Sequence, residues 1–151
     1  MNAKIFGVGL PRTGTASLAT ALQNAGIQVK HYCQIHDMHS YDDSDNDLSA
    51  IIDNSSYKKY YSIIKNNADS LFILTTRDAY DWLTSISRYA DKVDNIPNIK
   101  VYEKKIHSLI QELNLQKQLL VLNIFNNNSC ENLYNFLGYK YNGETFPHIK
   151  R

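Results

Sequence analysis

Cysteine is scarce in this chain: Cys33 and Cys130 are the only two among 151 residues, and they lie far apart. Neither has a Cys or His at a spacing that would suggest zinc, so both read as reduced thiols in a cytosolic protein. A charge imbalance is also missing. Sixteen basic residues against fifteen acidic give a formal charge of +1, which excludes a basic field broad enough for general nucleic-acid binding. No apolar run is long enough to cross a membrane, and no basic stretch followed by an apolar one opens the chain. The expectation is a soluble cytoplasmic protein with neither nucleic acid nor membrane as partner, whose anion sites, if any, are local. The eleven Tyr are scattered rather than interleaved with Lys and Arg, and read as packing residues. A composition 43% hydrophobic and 21% charged fits a packed chain, and its length suits a single domain spanning residues 1–151.

The pattern alternates strands with helices. A short apolar run over residues 3–8 reads as a buried first strand, followed by a glycine-rich turn. Leu18, Ala21, Leu22 and Ala25 then mark one helix face, with Gly26 where a helix would stop. Ile27 to Val29 suggests a second strand ending at His31 and Tyr32, and Cys33 to Asp47 reads as an Asp-rich loop. From Leu48, the spacing of Ile51, Ile52, Tyr60, Tyr61 and Ile64 suggests helical material, broken near Asn54-Ser55-Ser56. Leu71 to Thr75 is a continuous apolar strand of the kind buried on both faces of a parallel sheet. A helix with Trp82, Leu83, Ile86, Tyr89 and Ala90 follows, then a turn at Asn95 to Asn98 and a helix with Ile106, Leu109, Ile110 and Leu113. Leu119 to Leu122 reads as a further buried strand, and a short helix from Ser129 or Cys130 to Leu137 ends at Gly138 in the C′ position. The fold class is α/β: three layers, a central parallel sheet of four to five strands, and helices on both faces.

In such a sheet ligands bind beyond the carboxyl ends of the strands, which directs attention to residues 9–17, 31–39, 75–85 and 123–128. The first of these reads GLPRTGTAS. Gly9 and Gly14 keep the G-x-x-x-x-G spacing of a triphosphate-binding P-loop, but Thr15 and Ala16 stand where that loop has Lys and then Ser or Thr. The loop's cation is instead Arg12. Amides from the turn, the positive end of the helix that follows, and hydroxyls from Thr13, Thr15 and Ser17 make an anion cradle, to which Arg12 adds a bidentate fork. A tight strand-to-helix turn with a capping Thr would explain the glycines, though not Arg12 or three hydroxyls. The missing Lys, and the lack of a strand ending in Asp that could hold magnesium, argue against a nucleotide triphosphatase. At the end of the Leu71 to Thr75 strand stands Arg77, with Ser85 eight positions on, about two helical turns, so both can face one side of a site.

These elements together resemble the sulfotransferases, in the subgroup whose loop reads G-x-P-R-T-G-T-x-S. The resemblance implies a P-loop NTPase-like fold in which Pro11, Arg12, Thr13, Gly14, Thr15, Ala16 and Ser17 cradle the 5′-phosphosulfate of 3′-phosphoadenosine 5′-phosphosulfate. It also implies that Arg77 and Ser85 bind the 3′-phosphate. Leu119 to Asn123, Leu133, Phe136-Leu137-Gly138 and Phe146-Pro147-His148 are similar to the subgroup's closing pattern. The chain is short for the family, with the segments from His31 to Leu71 and from Tyr89 to Leu119 trimmed. The activity implied is transfer of a sulfonate to a hydroxyl or amine of a small-molecule or carbohydrate acceptor, leaving adenosine 3′,5′-bisphosphate, with no metal.

Arg12, in the place of the family's loop cation, is then the catalytic group for the leaving phosphate. His31, at the ligand edge where the subgroup has a His, is the candidate base, with an unperturbed pKa near 6.5 that suits proton removal; a packing role is its alternative. His36, Asp37 and His39 read as a rim of the site rather than a metal pair, for want of a third ligand. His148, Lys150 and Arg151 form a cationic tail that could cover the 3′-phosphate or fray into solvent. Two other functions compete with transfer: a non-catalytic binder of the donor or the bisphosphate, and a nucleotide or nucleoside kinase-like phosphotransferase.

Overall fold

The computed structural model describes residues 4–32, 49–53, 55–88 and 96–147. Five strands, β1 (Lys4–Gly7), β2 (Gln28–Tyr32), β3 (Ser49–Asp53), β4 (Leu71–Thr75) and β5 (Leu119–Leu122), form one sheet in the order β2-β3-β1-β4-β5. Every neighbouring pair is parallel. Five α-helices accompany them: α1 (Thr15–Asn24), α2 (Tyr60–Asn66), α3 (Ala79–Ser87), α4 (Ile99–Glu112) and α5 (Ser129–Leu137).

Alternation along the strands feeds two cores. Ile5, Ala50, Ile52, Ile73 and Leu122 pack with Leu18 and Leu22 of α1 and Leu133 of α5 on one face. Phe6, Ile51, Phe72 and Leu74 pack with Ile64 of α2, Trp82 of α3 and Tyr102, Ile106 and Leu109 of α4 on the other. Because the inner strands are covered on both sides, they show continuous apolar runs rather than polar alternation. Three layers therefore follow from where the apolar side chains point.

Local signals set the helix ends. The Asp78 carboxylate accepts from the Asp81 amide at the start of α3, and the Asn98 side chain accepts from the Lys100 and Val101 amides at the start of α4. Caps of this kind are worth about 1 kcal/mol each. Gly138 ends α5 at φ 75°, the left-handed conformation expected of it.

Two expectations are corrected. Residues 49–53 are a strand rather than helical material, paired with β2 on one side and β1 on the other, and all five are buried. A short apolar run buried on both faces carries no period of its own, so Ile51 and Ile52 blended with Tyr60 and Ile64 of the next helix. Leu119–Leu122 is a strand, but it forms the sheet's edge, with Val121 43% exposed. Among the described residues no helix is long and apolar enough to cross a membrane.

Candidate functional site

The sheet order makes β1 a switch point on both of its sides. The chain leaves β1 for α1 on one face, whereas it leaves the neighbouring β3 and β4 for α2 and α3 on the other. Outgoing segments that diverge in this way open a crevice above the carboxyl ends of the strands. The GLPRTGTAS loop rises from the middle of that edge.

Protein donors hold the loop's carbonyls. The Tyr102 hydroxyl donates to Val8 O, the Thr13 hydroxyl to Leu10 O at 2.6 Å, the Trp82 indole to Pro11 O at 3.0 Å and Arg77 Nη1 to Arg12 O at 3.0 Å. Carbonyls turned towards protein donors are turned away from an anion. Positive φ at Arg12 (69°) and Gly14 (99°) gives the loop the kind of backbone that curls amides into an anion-binding concavity. Burial pushes the Tyr102 phenol far above its usual range, and the Tyr60 and Tyr57 phenols add to the effect, so it stays a neutral donor.

The two glycines of the motif have packing reasons. A Cβ on Gly9 would lie 2.0 Å from Thr75 Oγ1 and 2.9 Å from Thr75 O, and one on Gly14 would lie 2.4 Å from Ile124 Cδ1. Thr75 is itself fixed, 2.6 Å from Thr13 Oγ1. Since the Thr13 proton goes to Leu10 O, Thr75 donates to Thr13. Thr13 is fully buried, so its hydroxyl belongs to this inward chain of bonds and not to the cradle's open side. What Thr13 can offer an anion is its amide. Thr15 and Ser17 are buried too, at the start of α1, while Arg12, Gly14 and Ala16 are half-exposed.

The loop and the strand-end pair, 65 or more positions apart in sequence, meet directly. Arg12 Nε donates to Ser85 Oγ at 2.8 Å, and Arg77 reaches the Arg12 carbonyl. Arg77 Nε is buried with no hydrogen-bond partner among the described residues, and its guanidinium lies 4.8 Å from the ring centre of Phe125, which is 52% exposed. A buried guanidinium N–H that finds no acceptor among the described residues is suited to an anionic ligand. Arg12, Arg77 and Ser85 thus form one cationic cluster above β1 and β4, beside an open aromatic ring.

The candidate base stands elsewhere. His31 lies on β2, in register with Ile52, and β2 is separated from β1 by β3. Its side chain lies outside the described residues, as do His36, Asp37, His39, His148, Lys150 and Arg151. Among the described residues no group of three or more His, Cys, Asp or Glu could hold a metal ion.

Several residues escaped the sequence reading. Trp82 registered only as a helix-face residue and Thr75 only as a strand residue, because their polar atoms act through long-range contacts. Phe125 lay within a segment flagged as a ligand edge, so its position was available although its role was not. One inference was wrong in substance: a strand does end in Asp. Asp53 closes β3, next to β1, and it was hidden by the helical reading of that segment.

Residues 4–46, which take in β1, the glycine loop, α1 and β2, match the family model described as a sulfotransferase domain. No curated protein matches the chain. The match takes in the glycine loop but not the strand-end pair Arg77 and Ser85, and supports a relationship to the sulfotransferases through that part of the chain.

Proposed function

We propose that this protein transfers a sulfonate from 3′-phosphoadenosine 5′-phosphosulfate to a hydroxyl or amine of a small-molecule or carbohydrate acceptor. The observation that carries the reading is the meeting of Arg12, Arg77 and Ser85 at the end of β1 and β4, with Arg77 Nε buried and lacking an acceptor among the described residues. On this reading Pro11 to Ser17 surround the 5′-phosphosulfate, through the amides of Arg12 to Ala16 and the N-terminus of α1. Arg77 and Ser85 take the 3′-phosphate. Phosphate oxygens suit a guanidinium fork, and the Phe125 ring against Arg77 keeps that fork planar to its ligand.

In the transfer step the acceptor attacks sulfur as the bond from sulfur to the bridging oxygen breaks, and charge collects on the 5′-phosphate. Arg12 and the loop amides are aimed at that charge. A preorganised donor of this kind is worth about 3 kcal/mol of barrier. No magnesium is needed, because the cations and amides supply the counter-charge.

A melting experiment with two ligands tests the donor. Adenosine 3′,5′-bisphosphate without magnesium, at 100 times its dissociation constant, should stabilise the protein by about 2.7 kcal/mol. For a chain of this length that raises the melting temperature by about 5–11 °C. Magnesium ATP should not, and Arg77→Ala should abolish the bisphosphate shift. The reverse preference refutes the reading. Binding without donor turnover, and with no difference between wild type and Arg12→Ala, would favour the non-catalytic binder.

A further inference from the structure

We propose that a second copy of this chain docks on the face formed by α2, α3 and α4, with α3 of each copy lying in the groove between α2 and α4 of the other. The proposal is independent of the sulfonate-transfer reading, since it concerns the outer surface of those helices.

Six large apolar side chains stand exposed among the described residues, and four of them are on these three helices: Tyr61 on α2, Tyr80 and Leu83 on α3, and Val101 on α4. Tyr80 is 76% exposed and the other three are at least half exposed. Helices that cover a sheet ordinarily turn such residues inward, and apolar surface gathered on one face marks an interaction site.

The α3 side is a ridge. Tyr80, Leu83, Thr84 and Ser87 are exposed at i, i+3, i+4 and i+7, one stripe of the helix. The Thr84 hydroxyl donates to Tyr80 O at 3.0 Å and the Ser87 hydroxyl to Thr84 O at 2.9 Å, so both protons are satisfied within the helix and burial would strand neither. The other side is a groove of about 470 Å³ between α2 and α4, where Tyr60, Tyr61 and Val101 offer apolar surface and Lys104, Lys105 and Glu112 offer charge.

The order of charges makes the two sides complementary. Along α3 the N-cap Asp78 and then Asp81 come first, and Arg88 is the C-cap; along the groove Lys104 and Lys105 come first and Glu112 last. Asp81 to Arg88 and Lys105 to Glu112 are the same number of residues apart, about 10.5 Å along a helix. Laid side by side in one direction, acid meets base at both ends. A uniform polyanion would be repelled by Glu112, whereas α3 brings Arg88 there. Both helices begin at the carboxyl edge of the sheet, because α3 follows β4 and Tyr102, near the start of α4, reaches Val8 O. A two-fold axis parallel to the helices preserves that direction, so the same contact forms twice and closes the pair.

Sedimentation equilibrium of the full chain across a concentration series tests this. Wild type should be an equilibrium of monomer and dimer. Asp81→Lys and Lys105→Glu place like charges opposite one another, and each should raise the dimer dissociation constant by about 10–100-fold. The double variant carrying both substitutions should return to within about threefold of wild type, which a general loss of stability in the single variants would not produce. Tyr80→Ala, at an exposed position and with no change of charge, should weaken the dimer and leave the melting temperature of the monomer unchanged. A wild type that remains monomeric overturns the proposal, as does a dimer that neither reversal weakens or that the double variant fails to restore. A monomeric wild type that takes a labelled polyglutamate probe, lost in Lys105→Glu, also overturns it and gives the groove to an acidic partner.

Discussion

Gly9 is the residue that a sequence motif would explain by ligand approach and that the structure explains by Thr75. In Gly9→Ala the new methyl group would sit 2.0 Å from Thr75 Oγ1, 2.9 Å from Thr75 O and 3.0 Å from Thr13 Oγ1. Thr75 can move its hydroxyl only by breaking the 2.6 Å bond to Thr13, and both residues are buried. Stranding buried hydroxyls costs about 1–3 kcal/mol. Overpacking against the Thr75 carbonyl adds about 1–3 kcal/mol. A loss near the middle of that sum, about 4 kcal/mol, lowers the melting temperature by about 8–16 °C. Urea unfolding of the four members of a cycle with Thr75→Ala checks the cause. Removing the Thr75 hydroxyl should relieve most of the clash, giving a favourable coupling of about 1–3 kcal/mol between the two substitutions. The double variant should then be more stable than the sum of the singles predicts. Additive effects would refute the reasoning, and so would a Gly9→Ala protein within about 1 kcal/mol of wild type. In that second case a loss of bisphosphate affinity alone would mean that Gly9 serves the ligand after all.

Two further predictions concern the supports of the same loop. Trp82 is the protein's one tryptophan and is 3% exposed, with its indole on Pro11 O, so the native emission should be blue-shifted and poorly quenched by acrylamide; efficient quenching would contradict its place beneath the loop. Tyr102→Phe leaves Val8 O without its buried donor and should cost about 1–3 kcal/mol of stability at neutral pH. Because burial raises the folded-state pKa of Tyr102 above the unfolded value near 10, its contribution is complete below pH 10 and is lost above it, as the unfolded phenol ionises first. Unfolding of wild type and Tyr102→Phe in urea from pH 8 to 11 should therefore converge at the alkaline end. A constant difference would argue against the buried neutral phenol.

Much of the fold was legible because the strands leading to the site are nearly uniform. Leu71 to Thr75 lies between two neighbouring strands and reads as a strand at sight, and the periods of α1 and α4 are those of helices with one buried face. The loop was legible because its residue types are chemically specific: an Arg among hydroxyls and glycines between a strand and a helix. β3 was not legible. Ser49-Ala50-Ile51-Ile52-Asp53 is five residues long, polar at both ends and preceded by an Asp-rich stretch, so nothing local separates it from the helix that follows. Only its pairing on both sides makes it a strand, and pairing is non-local. That single misreading hid Asp53. The roles of Trp82, Thr75 and Tyr102 were hidden for a related reason: each serves the loop across 62 or more positions of sequence.

The Arg12 geometry links these pieces and changes how an Arg77 variant must be read. A non-glycine residue at φ 69° costs roughly 1–2 kcal/mol. Here the conformation is held from two directions, by Arg77 on its carbonyl and by Ser85 on its side chain. Those are the two residues proposed above to take the 3′-phosphate, so a ligand that draws either of them also acts on the backbone of the loop. On the proposed function, occupancy of the two phosphate positions is then coupled, and coupling of this kind is reciprocal. An Arg77→Ala protein loses a loop support together with a ligand contact, and its weaker bisphosphate binding could come from either. Ser85→Ala separates them: it removes one support and one contact but leaves Arg77 on the Arg12 carbonyl. If the loop support is what matters, Ser85→Ala should weaken binding of inorganic pyrophosphate, which has no 3′-phosphate, as much as it weakens the bisphosphate. If the direct contact matters, only the bisphosphate should suffer.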